Sequence, residues 1–210
     1  HSLDEWLHKT PFYKIAKSLA EEGYGSDFIS DRFVRELTYE NGRLITPGAT
    51  YKSLIVPDAD KMPLATLKKM VELKNQGAKI IFQGLPESVP GYKDYIQQNK
   101  ELDKLISENK KVLETTKSII SDLKAIHIYP EAIVKSGLKY LRRNIDGKKT
   151  YFLANHTGAA IKGSYPFQIK SNTIALYDPL TGNEGIANSY VKEGQTFVKL
   201  NILFVDFQGD

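Results

Sequence analysis

The chain has 210 residues, 41% of them hydrophobic and 26% charged, which allows one large domain or two small ones around a buried core and gives no compositional ground for disorder. The formal charge of +4 is spread over interspersed Lys and Glu with no basic arm or dense cationic cluster, so nucleic acid is not the natural partner. The complete absence of cysteine excludes disulfides, thiolate metal sites and a cysteine nucleophile, and is compatible with either the cytosol or bacterial export.

The chain opens on HSLDEW, without a Met or a visible signal peptide, and reads as a piece of something longer. PFYKIAKSLAEEGY then places Phe12, Ile15, Ala16 and Leu19 on one helical face, with Gly23 where a helix stops. DFIS (27–30) is a short strand candidate. YKSLIVPD (51–58) is a stronger one, a continuous apolar run bounded by turn signals that suits a buried parallel strand. Pro63 opens the next helix, where its missing N–H costs nothing, and Leu64, Leu67, Met70 and Val71 form its buried stripe, with Ala78 just beyond. Gln76-Gly77 ends it, and AKIIFQG (78–84) is another buried strand. Strand, helix and strand within ~35 residues predict a right-handed parallel βαβ unit. LPESVPGYKDY is a Pro/Gly-rich loop. Residues 99–126 read as charged helix with a core face running from Leu102 to Leu123 and one break near Asn109 to Thr115.

After Ile128 the helical period disappears. LKYLRRNIDGKKTYFLANHT reads as two strands joined at Asp146-Gly147, the strongest short hairpin signal in the chain. YPFQIK, TIALYD and QTFVKLNILFVDF follow as further strands, separated by turns at DPLTGNEG and KEGQ, a pattern that indicates an antiparallel sandwich. The expected division is an α/β domain over 1–128 and a β-sandwich module over 129–210. No apolar run approaches the ~20 residues of a membrane-spanning helix.

Candidate chemistry is sparse. Asp58 and Asp60 sit in VPDADKMP, at the carboxyl end of an expected parallel strand, where α/β proteins form ligand crevices. The same residues suit a turn and the capping of the helix that begins at Pro63, and that account needs fewer assumptions. No GxGxxG or GxxxxGK[ST] is present, so no dinucleotide or nucleotide cofactor is expected. Ser88 lacks a G-x-S-x-G elbow and reads as part of a surface loop. His1, His8, His127 and His156 fall in no HxxxH or HExxH pattern, so no metal site is expected. His156, at the end of a predicted strand, is a weak candidate for the rim of a ligand groove alongside Asp58 and Asp60. Asn155-His156-Thr157 also matches a glycosylation acceptor. Twelve tyrosines raise sugar stacking, but strand positions such as Tyr140, Tyr151 and Tyr177 favour aromatics for packing alone. Arg142-Arg143 reads as a solvated strand face. Residues alone name no catalytic constellation.

Several stretches in order do carry a resemblance: Leu54 to Asp58, Met62 to Leu67, Gly77 to Ile81, Tyr151 to Asn155 in YFLAN, and Leu176 to Gly182 in LYDPLTG. Together they resemble the C-terminal portion of bacterial glycoside hydrolases of family 106, the α-L-rhamnosidase type. The resemblance implies a flavodoxin-like domain of the kind seen in glutamine amidotransferases, followed by the β module. It implies no amidotransferase chemistry, because the cysteine of that site is missing here. It also implies that the catalytic glutamates lie in an upstream (β/α)8 barrel, since ~250 residues are typical of such a barrel and the α/β portion here is about half that.

The leading expectation is therefore a non-catalytic C-terminal segment of a secreted or periplasmic bacterial glycosidase, inactive alone, that needs no cofactor and has the upstream barrel of the same polypeptide as its partner, with a carbohydrate contact at its rim. The alternatives are a self-standing carbohydrate-binding or adhesion module, and a small hydrolase using Asp58, Asp60 and His156.

Overall fold

The computed structural model describes residues 7–203, which divide into two compact units: 7–16 with 27–128, and 17–26 with 129–203. The architecture is mixed α/β, with several small antiparallel sheets and one parallel strand pair. Helix α1 (Pro11–Glu22) contributes to both units. It starts on a proline, whose missing N–H is unneeded there, and ends at Gly23, where φ of +96° requires glycine.

In the first unit, DFIS is not a strand. Phe28 is 68% exposed and only Ile29 packs against the core; Asp27 accepts a hydrogen bond from the Tyr51 hydroxyl at 3.0 Å, and the segment leads into α2 (Asp31–Glu36). A three-stranded meander follows: β1 (Thr38–Glu40), β2 (Arg43–Thr46) and β3 (Ala49–Tyr51), antiparallel in sequence order. Asn41 and Gly42 both take positive φ, as a two-residue hairpin turn requires.

The expected parallel pairing holds. β4 (Leu54–Val56) and β5 (Ile80–Phe82) run parallel, with Leu54 opposite Ile80 and Val56 opposite Phe82. The crossover is α3 (Leu64–Asn75), whose buried Leu64, Leu67, Met70, Val71 and Leu73 face the core. A further parallel bridge sets Thr115 beside Phe82, and the Thr116 N–H donates to the Phe82 carbonyl at 2.8 Å. The two later helices, α4 (Tyr95–Glu108) and α5 (Ile119–Ala125), flank the expected break and add Leu102 and Leu123 to the buried residues. α4 begins earlier than the sequence suggested, because its first turn is drawn from a loop that reads as Pro/Gly-rich.

In the second unit a short 3-10 turn (Ala132–Ser136) precedes the hairpin β6 (Leu138–Ile145) and β7 (Lys148–Asn155). Asp146 and Gly147 form its two-residue turn, both at positive φ. A three-stranded antiparallel sheet has the order β11–β12–β8, from β8 (Ile161–Phe167), β11 (Ser189–Lys192) and β12 (Gln195–Ile202). A small hairpin joins β9 (Ala175–Tyr177) to β10 (Glu184–Ile186), so the end of DPLTGNEG is strand rather than turn. Alternation sends Leu138, Tyr140, Tyr151 and Leu153 from the hairpin, and Ile161, Phe167, Val198 and Leu200 from the sheet, into one core. The result is sandwich-like: two layers with inner faces packed and outer faces in solvent. The end of the predicted last strand, from Phe204 on, lies outside the described residues, as does His1.

Candidate functional site

The loops at the carboxyl ends of β4 and β5 hold Asp58, Asp60 and Ser88; main-chain bonds join Asp60 to Ser88, and Asp58 is tied by its N–H to the Gln83 side chain. The Asp58 N–H donates to Gln83 Oε1 at 3.2 Å. The Asp60 carbonyl accepts from the N–H groups of Glu87 at 2.9 Å and Ser88 at 3.1 Å, and the Met62 N–H donates to the Ser88 carbonyl at 3.1 Å. Both aspartates are exposed, and the Asp58 carboxylate lies against Gly84, where any side chain would collide with it. Neither caps α3. Pro63 stands at the cap position without a side-chain hydrogen bond, and its carbonyl accepts the first helical N–H groups, from Thr66 and Leu67. The position expected of Asp60 is thus occupied by Pro63, whose extended ψ of 132° turns the chain into the helix without any side-chain cap. His156 belongs to the other unit and is exposed. Its neighbour Asn155 is 6% exposed and its amide is fully engaged: Nδ2 donates to the carbonyls of Ala159 and Ile202, and Oδ1 accepts from Thr157. That amide closes a loop and is no accessible glycosylation acceptor.

The residue that sequence reasoning missed is Glu131, 2% exposed, between the two regimes of the chain. Its Oε1 accepts from Arg142 Nη1 at 2.8 Å and from the Tyr151 hydroxyl at 2.7 Å, and its Oε2 accepts from the Gln168 N–H at 2.8 Å. Arg142 and Tyr151 are direct cross-strand partners on β6 and β7, which aims both donors at one carboxylate. The Glu131 N–H donates to the Gly23 carbonyl at 2.8 Å, and the Tyr140 hydroxyl reaches the same carbonyl at 2.8 Å. Burial, then the hydrogen bond to Glu131, pushes the Tyr151 phenol well above its usual range; burial likewise raises Tyr140. A carboxylate held by one cation, one phenol and one amide is a clamp between segments 23, 131, 142, 151 and 168. No sequence pattern announces it, since the partners lie 11, 20 and 37 residues further along.

Asp178 and the Lys68–Glu101 pair are spent on local structure. Asp178 accepts from the Leu180 N–H at 2.9 Å and the Thr181 hydroxyl at 2.7 Å, bonds that hold its carboxyl below the usual range and close the β9–β10 loop. A shallow groove of 430 Å³ between α3 and α4 is lined by Leu64, Ala65, Gln97 and Gln98, and one side is closed by the Lys68–Glu101 ion pair at 3.0 Å. Among the described residues no group of three or more His, Asp or Glu side chains is placed to hold a metal. No helix among them is long and apolar enough to cross a membrane.

Residues 2–191 match the glycoside hydrolase family 106 profile, described as α-L-rhamnosidase. A "Putative beta-glucuronidase" of Formosa agariphila is 29% identical over 147 residues, 67% of this chain and 13% of that protein. The solved structure of a rhamnosidase from Novosphingobium sp. PP1Y superimposes with a TM-score of 0.74 at 21% identity, over 87% of this chain and 19% of that one, and so shares its fold. The chain therefore spans less than a fifth of the length of either relative. With the family profile covering residues 2–191, the chain belongs to glycoside hydrolase family 106.

Proposed function

We propose that this chain is a non-catalytic supporting segment of a family 106 glycosidase, with the hydrolytic carboxylates supplied by an upstream barrel of the same polypeptide. The observation that carries the reading is the state of Glu131. A glycosidase needs a pair of carboxylates facing the scissile bond across an open site. Glu131 is buried, and both its oxygens are committed to Arg142, Tyr151 and Gln168. Asp58 and Asp60 stand in a loop held by its backbone. The share of the relatives' length spanned here, 13% and 19%, supports the same reading.

On this account the first unit is a flavodoxin-like domain built on the β4–α3–β5 crossover, and the second a β-sandwich module; along the sequence the α/β part runs over 1–128, of which 17–26 belongs to the second unit, and the β part over 129–210. Both buttress the barrel, Asp58, Asp60 and His156 lie at most on a substrate rim, and the whole protein acts on α-L-rhamnosides outside the cytoplasm. The test is direct. The 210-residue chain, incubated with a chromogenic aryl α-L-rhamnoside, releases no chromophore above the buffer rate; turnover that disappears in Asp58→Ala with Asp60→Ala overturns the proposal.

A further inference from the structure

The outer face of the β11–β12–β8 sheet, opposite the core, carries an aromatic pair that the packing does not consume. Tyr190 and Phe197 are direct cross-strand partners, with rings 5.2 Å apart and within 4° of parallel. Pro166 completes the row on β8, opposite Phe197. Tyr190 nevertheless stays 51% exposed, on a strand that pairs on one side only among the described residues. One face of its ring is stacked on Phe197, and half of the residue's surface remains available for a second contact.

The adjoining rows are cationic. Lys199 stands opposite Ser164, and Lys162 opposite Asn201, so the two lysines are diagonal neighbours, a relation that sets them about 7–8 Å apart. Both are exposed, and among the described residues neither makes an ion pair. No position of this face on the three strands is Asp or Glu; the carboxylate at its end, Glu193, lies in the turn and sits 3.8 Å from Lys192. Like charges placed side by side on a sheet oppose one another, and an anion lying across them removes that cost.

From this arrangement we infer that the outer face of the β11–β12–β8 sheet binds a saccharide carrying carboxylate or sulfate groups. A pyranose ring stacks its C–H face on Tyr190, and its anionic substituent reaches the Lys199–Lys162 diagonal, with Ser164 and Asn201 as hydroxyl partners. The inference uses the family membership and the sheet face, and it stands whether or not the chain also supports a barrel. Its occupant is fixed by charge complementarity: a neutral glycan uses the aromatic row and leaves the two ammonium groups uncompensated.

The experiment is affinity electrophoresis of the 210-residue chain through gels containing polygalacturonate, dextran sulfate or neutral dextran. The chain as a whole is basic, with a sequence pI near 9.0, so the control must match charge. Retardation by polygalacturonate or dextran sulfate but not by dextran is expected, with the dissociation constant rising about tenfold in Tyr190→Ala and again in Lys162→Ala/Lys199→Ala. Lys139→Ala/Lys148→Ala, which removes the same charge from the outer face of the β6–β7 hairpin, is expected to change it less than about twofold. Thermal midpoints within about 2 °C of the parent chain show that the variants fold. Equal losses in the two lysine pairs, an unaffected Tyr190→Ala, equal retardation by neutral dextran, or no retardation at all overturn the proposal.

Discussion

Replacing Glu131 by alanine removes the acceptor that the Tyr151 hydroxyl and the Gln168 N–H share, and strips Arg142 of its partner. Each buried donor left unsatisfied costs about 1–3 kcal/mol, and the two together dominate the effect. Arg142 adds less, because its side chain is 37% exposed and turns to water when the carboxylate is gone. The expected loss is about 3–5 kcal/mol, the range for breaking a buried ion pair. Taken on the second unit alone, about 4–8 °C per kcal/mol makes a fall in its thermal midpoint of more than ~12 °C. Glu131→Gln keeps one oxygen for Tyr151 and Arg142 but turns an NH2 toward the Gln168 N–H, for a smaller loss of about 1–3 kcal/mol. Urea unfolding followed by tyrosine fluorescence and circular dichroism measures both. A Glu131→Ala variant within about 1 kcal/mol of the parent chain refutes the clamp. So does a Glu131→Gln variant of the longer enzyme that loses turnover while its stability is unchanged, since that would be the behaviour of a catalytic acid.

The raised phenols carry a pH dependence of known sign. Tyr24, Tyr51, Tyr140 and Tyr151 all have folded values above the ordinary one, so the unfolded chain loses these protons first. Stability is therefore level below pH ~10 and declines above it, by up to about 1.4 kcal/mol per pH unit for each phenol still protonated only in the fold; Tyr151→Phe should flatten that slope, measured by urea unfolding between pH 9 and 11.5. Thr66, fully buried on α3, has a hydroxyl with no hydrogen-bond partner among the described residues, so Thr66→Val is expected to be neutral or stabilising by up to about 1 kcal/mol, and a loss beyond ~1 kcal/mol would mean the hydroxyl is paired. Gly84→Ala should cost about 1 kcal/mol or less, since the exposed Asp58 carboxylate it meets can turn away, and Asp58→Ala in the same chain should recover part of it; a strictly additive cycle would show that the two loops do not touch.

Much of the frame was legible because it rests on local rules. Pro63 with a following apolar stripe announces α3, the runs at 54 and 80 announce the parallel pair, and Asp146-Gly147 announces the long hairpin. Asn41-Gly42 carries the same hairpin signal, yet the meander around it was missed: its strands are three or four residues long and do not alternate clearly. DFIS differs in the opposite direction, an apolar pair with β propensity that pairs with no strand: Ile29 packs on the core while Phe28 stays in solvent. Propensity measures fitness for a half-buried surface and cannot say whether the surface is there. The polar chemistry was the least legible. Asp58 and Asp60 stand out by spacing, and the hydrogen bonds that hold them run through their backbone groups. Glu131 is a single acidic residue after a proline, and its meaning comes from three donors brought in by separate strands. Lys199, Lys162, Tyr190 and Phe197 likewise become neighbours only through the sheet register.

The most direct test of the supporting role is the mass of the native polypeptide, by immunoblot of source cells and their culture fluid with an antibody raised to this chain. A species far heavier than 23.7 kDa is the predicted result, because the proposed function assigns the hydrolytic carboxylates to an upstream part of the same polypeptide. A species of 23.7 kDa as the sole product would contradict it, leaving the chain to act without a barrel.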